Sequence, residues 1–311
     1  MAMKEFSFLS ANGQDQVWAW AYLPLGKPKA VVQLVHGFGE HSRRYLHMIL
    51  AFLEAGYAVY ADDHLGHGKT GYDIGHLGRP CSGGYMTYVL DEKQLHDIAV
   101  SDWPDVPHFM FGHSWGSLLT RAYAAYFGQD LSGLMLCGNC AQWRACDVVL
   151  ADPAFRAAYE ADTEQPAGEW HGKVFCDLSP RAQNPDNASN WVSNNPAVVA
   201  DHDNDMYNVT DCTLELVWDF VQLYQFANGD DWAAMVPSEL PVYLISGDLD
   251  PCGNYGEGLY HLVNILANSG NIVSAKAYSG YCHEIQNEPA IRDEVEAGLI
   301  AFLNSITGGA T

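Results

Sequence analysis

The chain has 311 residues, 48% of them hydrophobic, which suffices for one large domain with an insertion or for two ordinary domains. Its 15 basic and 38 acidic residues give a formal charge of -23, which repels phosphate backbones and excludes nucleic acid as a partner. No run approaches the ~18 apolar residues that cross a bilayer, and the N-terminal residues do not resemble a secretory leader. We therefore expect no integral membrane segment, a cytoplasmic location, and free thiols for the eight scattered cysteines.

The spacing of apolar residues predicts strands that alternate with helices over most of the chain. A hairpin comes first, with strands at 5–9 and 16–23. The elements expected next are a strand at 30–35, a helix at 44–54, a strand at 57–61, a helix at 91–100, a strand at 107–111, a helix at 115–127 and a strand at 131–136. The alternation stops and then resumes with a strand at 242–245, a helix at 258–267, a strand at 272–278 and a helix at 290–303. This order implies an α/β protein with a mostly parallel sheet covered on both faces.

The most informative motif is Gly112-His113-Ser114-Trp115-Gly116, which lies between a predicted strand and a predicted helix. A turn this tight pushes the Ser114 hydroxyl out at the carboxyl end of the sheet, where a nucleophile can act. The backbone N–H of Trp115 opens the helix and would point at an oxyanion beside that hydroxyl. A second donor is expected from the loop after strand 30–35, where the N–H of Phe38 lies between two glycines. The side chains of Phe38 and Trp115 are expected to line the acyl pocket.

A serine hydroxyl needs a base that accepts its proton, and thirteen histidines are available. His283 is the candidate base because it follows the last predicted strand in a glycine-containing turn, whereas His36 and His113 are expected to orient backbone. A carboxylate must hold the imidazole in the correct tautomer. Asp250 is preferred for this role, and Asp248 remains its competitor. The chain order serine, aspartate, histidine is that of the α/β-hydrolase triad.

Several runs together resemble the monoglyceride lipase and lysophospholipase-like branch of the α/β-hydrolases, which is often grouped with the serine aminopeptidases. These runs are His36–Ser42, Asp63–Gly68, Gly112–Gly116, Gly247–Asp250 and Tyr281–His283. The resemblance implies Ser114 as nucleophile, Asp250 as acid and His283 as base, with the N–H groups of Phe38 and Trp115 as the oxyanion hole. It also implies an α/β-hydrolase core at 1–140 and 236–311, with helices flanking the central sheet, and an inserted helical cap at 141–235.

The inserted segment, residues 141–235, is rich in aromatic residues and carries 16 acidic and four basic side chains. An aromatic lid suits an apolar substrate, and the negative charge favours neutral esters. We predict a serine hydrolase, free of cofactor and metal, that cleaves small-molecule carboxylic esters of apolar acyl groups. An aminopeptidase-type peptidase and a low-turnover binding protein of the same fold are the alternatives. The sequence leaves a homodimer open.

Overall fold

The computed structural model describes residues 1–176, 178, 181, 187–229 and 231–308. Its centre is an eight-stranded sheet with strand order β1-β2-β4-β3-β5-β6-β7-β8. The strands are β1 (Ala2–Leu9), β2 (Gln16–Leu23), β3 (Val31–Val35), β4 (Ala58–Asp62), β5 (His108–His113), β6 (Gly133–Cys137), β7 (Val242–Gly247) and β8 (Val273–Tyr278). The β1–β2 hairpin and the β2–β4 pairing are antiparallel, and every pairing from β4 to β8 is parallel.

The helices are α1 (Leu46–Glu54), α2 (Gly68–Tyr72), α3 (Met86–Asp102), α4 (Trp115–Phe127), α5 (Arg144–Ala151), α6 (Pro153–Ala161), α7 (Glu169–Val174), α8 (Pro196–Asn204), α9 (Leu214–Ala227), α10 (Trp232–Met235), α11 (Glu257–Asn268) and α12 (Arg292–Thr307). Apolar residues of α1 and α12 pack on one face of the sheet. Those of α3, α4 and α11 pack on the other. Strands β3 to β6 are buried throughout because helices cover both of their faces, which is why they are almost continuously apolar.

The inserted segment contains α5 to α10 and lies between β6 and β7. Its long helix α9 packs against α4 of the core. The Tyr224 hydroxyl of α9 accepts a hydrogen bond of 2.9 Å from the Trp143 N–H. Three of its aromatic side chains, Phe155, Phe220 and Trp232, are at most 2% exposed. Much of its aromatic content therefore forms the packing of the segment itself and of its contact with the core.

The structure differs from the sequence prediction mainly around α2 and α3. Helix α3 begins at 86 and not at 91, because its buried face includes the polar residues Asp91, Glu92 and His96, which weaken the apolar periodicity. Helix α2 was not predicted at all. It begins where the Asp63 carboxylate accepts a hydrogen bond of 2.6 Å from the Lys69 N–H, a long-range cap that local apolar spacing does not reveal.

None of the helices in the described part of the chain combines the length and apolar composition that a bilayer-spanning segment requires.

Candidate active site

Ser114 occupies a strained turn between β5 and α4. Its backbone has φ 56° and ψ -120°, in a region that side-chain-bearing residues rarely adopt. The flanking glycines permit the turn, because a Cβ at Gly112 would lie 2.3 Å from the Gly116 carbonyl oxygen. A Cβ at Gly116 would lie 2.2 Å from the Val35 carbonyl oxygen. The strain is thus maintained by close backbone contacts between β5, α4 and β3, and it directs the serine side chain away from the sheet.

Asp250 and His283 meet behind this turn. Asp250 follows β7 and His283 follows β8, and the Nδ1 atom of His283 lies 2.9 Å from Oδ2 of Asp250. Both residues are buried, with at most 2% of their surface exposed. The other carboxylate oxygen of Asp250 accepts a hydrogen bond of 2.9 Å from the Cys252 N–H. Asp248, the competing acid, instead accepts a hydrogen bond of 2.6 Å from the Gly280 N–H, so its carboxylate serves the turn before His283.

In this structure the Ser114 hydroxyl and the His283 imidazole are not hydrogen-bonded to each other. The Ser114 hydroxyl oxygen lies 3.8 Å from the Cys140 sulfur. The Nε2 atom of His283 is buried and has no hydrogen-bond partner among the described residues. Ser114 and His283 line the same cavity. Proton transfer between them therefore requires the Ser114 hydroxyl to come within hydrogen-bond distance of Nε2 of His283.

The loop that contains Phe38 approaches the serine, since a Cβ at Gly37 would lie 3.1 Å from the Cβ of Ser114, and Trp115 follows the serine directly. Within the described residues, no hydrogen bond uses the backbone N–H of Phe38 or of Trp115. The Trp115 N–H is at the N-terminus of α4, where the helix dipole favours negative charge. The Phe38 ring lines the cavity and packs 5.0 Å from the ring of Phe175. The expectation that the Trp115 side chain lines the pocket is wrong, because its ring is fully buried and stacks at 5.2 Å on the ring of His67.

The cavity beside Ser114 has a volume of about 260 Å³. One part of its wall is apolar and includes Phe38, Trp143, Phe175, Leu178 and Val209. Another part is polar and includes Glu40, His202, Ser189 and Glu284. Most of the apolar wall comes from the inserted segment, which covers Ser114. Such a cavity suits a small molecule with an apolar portion and a polar end.

One residue of the polar wall, Glu40, is a buried carboxylate that sequence analysis did not single out. Its Oε1 atom accepts hydrogen bonds from the Gly37 N–H at 2.8 Å and the Tyr45 hydroxyl at 2.5 Å, and lies 3.1 Å from Nδ1 of His113. Burial alone would raise the pKa of Glu40, but the hydrogen bond and charge of His113 outweigh it and lower that pKa to about 2. The only sequence signal for Glu40 was its position in the run at 36–42, which carries no information about its partners.

The described part of the chain contains two buried clusters of three side chains, and in each cluster the potential metal-ligand atoms lie within 4.8 Å of one another. The first is Asp250, Cys252 and His283, which contains the acid and base described above. The second is Asp62, His64 and Glu92, on the sheet side of the oxyanion loop. Burial and the neighbouring charge of Asp62 raise the pKa of Glu92 well above its usual range. All eight cysteines are free thiols, as expected.

Comparisons with known proteins find a matching family and several similar hydrolases. A sequence model described as serine aminopeptidase, S33, matches residues 26–290. The monoacylglycerol lipase of Mycolicibacterium smegmatis is 30% identical over 303 residues, covering 96% of this chain and 98% of that protein. The crystal structure of a thermostable carboxyl esterase from Bacillus coagulans, in complex with glycerol, is 46% identical with a TM-score of 0.94 and covers 99% of both chains. A lipase solved in an open form is 38% identical, also with a TM-score of 0.94, covering 98% of this chain and 99% of the other.

Proposed function

We propose that this chain, which belongs to the serine aminopeptidase S33 family, cleaves monoacylglycerols and similar neutral esters through an acyl-enzyme on Ser114. It is a carboxylic ester hydrolase of the α/β-hydrolase fold. The observation that carries the proposal is the 2.9 Å contact of Asp250 with His283, a residue that lines the same cavity as Ser114. The predicted fold and the predicted ester hydrolase activity are confirmed by the relatives. The roles of the individual residues are our proposal.

In the proposed mechanism, His283 accepts the hydroxyl proton as Ser114 attacks the ester carbonyl carbon. Asp250 keeps the proton-bearing Nδ1 of the imidazole oriented and stabilises the cation that forms. The tetrahedral oxyanion binds to the N–H groups of Phe38 and Trp115. His283 then gives its proton to the departing alcohol, and a water molecule, activated by the same imidazole, releases the carboxylic acid.

The shape and polarity of the cavity support a substrate with an apolar acyl chain and a polar alcohol. The apolar wall around Phe38, Trp143 and Phe175 suits the acyl chain, and the polar wall around Glu284 and His202 suits an alcohol that bears hydroxyl groups. The relatives named for monoacylglycerol and carboxyl ester hydrolysis support the same class. We further propose that the inserted segment, residues 141–235, acts as a cap that excludes water during acylation.

Covalent labelling tests the nucleophile and the base. A fluorophosphonate probe is expected to label the wild-type protein and not Ser114→Ala, since phosphonylation needs the activated hydroxyl. His283→Ala is expected to lower ester turnover by at least ~1,000-fold. His261→Ala is a matched control in α11, outside the residues that line the cavity, and is expected to retain wild-type turnover. Equal labelling of wild type and Ser114→Ala would refute the assignment of the nucleophile.

A substrate panel tests the proposed class. We expect p-nitrophenyl esters of neutral acyl groups and monoacylglycerols to be cleaved, with kcat/KM falling for chains too long for a cavity of about 260 Å³. An aminoacyl p-nitroanilide is the comparison, because a peptidase would prefer it to the aryl ester. Higher kcat/KM for the anilide would contradict the proposed substrate class while leaving the serine mechanism intact.

A further inference from the structure

Glu40 and His113 form a second histidine–carboxylate pair beside the proposed triad. His113 immediately precedes Ser114, and its two ring nitrogens both face oxygen acceptors. Nδ1 lies 3.1 Å from Oε1 of Glu40, and Nε2 lies 3.4 Å from the backbone carbonyl oxygen of His283. A neutral imidazole carries one N–H, so only the imidazolium form can donate to both acceptors. The hydrogen-bond geometry therefore indicates a cationic His113.

The rings of His113 and His283 are in contact. Their centroids are 4.7 Å apart, with the planes inclined at 49°. Gly138 makes this contact possible, because a Cβ there would lie 2.9 Å from Nε2 of His113 and 3.1 Å from Cε1 of His283. The backbone of Gly138 also has a positive φ of 57°, which disfavours other residues. A glycine at position 138 therefore leaves room for the two imidazole rings to pack against each other.

The charges around this pair come from several elements. His113 interacts electrostatically with Glu40, Glu284 and Asp250. Beyond the acids, the titratable groups near the two imidazoles or their carboxylate partners include Tyr45 and Arg44 before α1, Cys137 at the end of β6, Cys252 after β7 and His202 in α8. Burial lowers the pKa of His113, but the hydrogen bond and charge of Glu40 outweigh it, so the pKa is raised above its ordinary value. Arg44 forms ion pairs with both Glu40 and Glu284, so two carboxylates balance its charge.

We propose that His113 is a positioning residue for His283, and that Glu40 and His113 form a second acid–histidine pair that holds the catalytic base in place and sets a positive charge beside it. This inference rests on the proposed roles of Ser114 and His283. The His113 ring packs against the ring of His283, and its Nε2 binds the backbone carbonyl oxygen of that residue. The pair thereby places the positive charge of His113 next to the ring that accepts the serine proton.

Glu40 connects this pair to the oxyanion loop. The same oxygen that faces His113 accepts the Gly37 N–H, one residue before the proposed donor Phe38. One carboxylate therefore links the loop that would bind the oxyanion to the imidazole that supports the base. His113→Gln removes the cation but leaves Glu40 and its loop contact. Glu40→Gln retains an oxygen that can accept the Gly37 N–H, and it removes the counterion that keeps His113 charged.

The pH dependence of kcat/KM for a neutral aryl ester tests the proposal. In His113→Gln, the acid limb of the profile is expected to move to higher pH by about 1 unit, since a nearby cation is lost and the Glu40 anion remains. In Glu40→Gln, the shift is expected in the same direction but smaller, because the pair loses both of its charges. His108→Gln is the matched control, since His108 is at the opposite end of the same strand, and its acid limb should match that of the wild type.

The rate of fluorophosphonate labelling against pH, measured on the same variants, gives a second readout that needs no ester substrate. A wild-type protein that is never labelled would refute the proposed serine mechanism. A labelled wild type whose acid limb does not move in His113→Gln, even if its maximal rate falls, would overturn only the proposed effect of the His113 charge on the base. If His113→Gln does not fold, Glu40→Gln decides alone: an acid limb at higher pH supports the proposal, and an unchanged limb overturns it.

Discussion

Replacing Asp91 with asparagine is expected to stabilise the protein at alkaline pH relative to the wild type and to have little effect at acidic pH. Asp91 lies on α3 and is 3% exposed. One carboxylate oxygen accepts the Ala11 N–H at 2.6 Å, and the other accepts the Ser10 hydroxyl at 2.8 Å. An asparagine side chain of the same shape can accept from the Ala11 N–H and donate to the Ser10 oxygen, so the hairpin turn stays attached to α3.

The magnitude follows from the pKa of Asp91. Burial raises this pKa to about 7, against an ordinary value of 3.8, with a further contribution from the charge of Asp62. Between these two pH values the folded chain holds a proton that the unfolded chain has lost, so the free energy of unfolding falls as pH rises. Each pH unit costs about 1.4 kcal/mol, which accumulates to about 4 kcal/mol by pH 8. Asparagine does not titrate and escapes this loss.

Reversible urea unfolding of wild type and Asp91→Asn at a series of pH values between about 4.5 and 8 measures the effect. The difference in unfolding free energy between the two proteins cancels the titration of all other groups. We expect that difference to grow in favour of the variant as pH rises and to level off above about pH 7.5. A difference that changes by less than about 1 kcal/mol over this range would refute the reasoning, since Asp91 would then titrate alike in the folded and unfolded chains.

Two further substitutions test the packing that supports the site. In Gly116→Ala the new Cβ would lie 2.2 Å from the Val35 carbonyl oxygen. We therefore expect a loss of more than about 2 kcal/mol of stability by urea unfolding and a fluorophosphonate labelling rate at least ~10-fold lower. Near-wild-type values for both would contradict the proposed geometry of the turn at Ser114. Arg121 is fully buried, and its guanidinium donates to the carbonyl oxygens of Ser117, Ala227 and Cys140, so Arg121→Met should cost about 3 kcal/mol or more in urea unfolding. The exposed Arg156 of α6 is the control, and Arg156→Met should change stability by less than about 0.5 kcal/mol.

The local part of the site could be predicted because its geometry is encoded by neighbouring residues. The glycines around Ser114 permit only one kind of turn between a strand and a helix, and the apolar runs on either side specify which is which. The partners of the acid could not be predicted in this way. Asp248 and Asp250 are two residues apart in one loop, and only the folded loop shows that the first accepts from Gly280 and the second contacts His283.

By itself, the sequence determined the α/β class, the order of the core strands and helices along the chain, and the family, since these depend on apolar periodicity and on short motifs. The tertiary structure alone decided which way buried side chains point. It turned the Trp115 ring into the core and brought Glu40 against His113, two residues separated by 73 positions. Such contacts depend on how distant loops pack and on which side-chain rotamers that packing permits. Local sequence patterns contain neither kind of information.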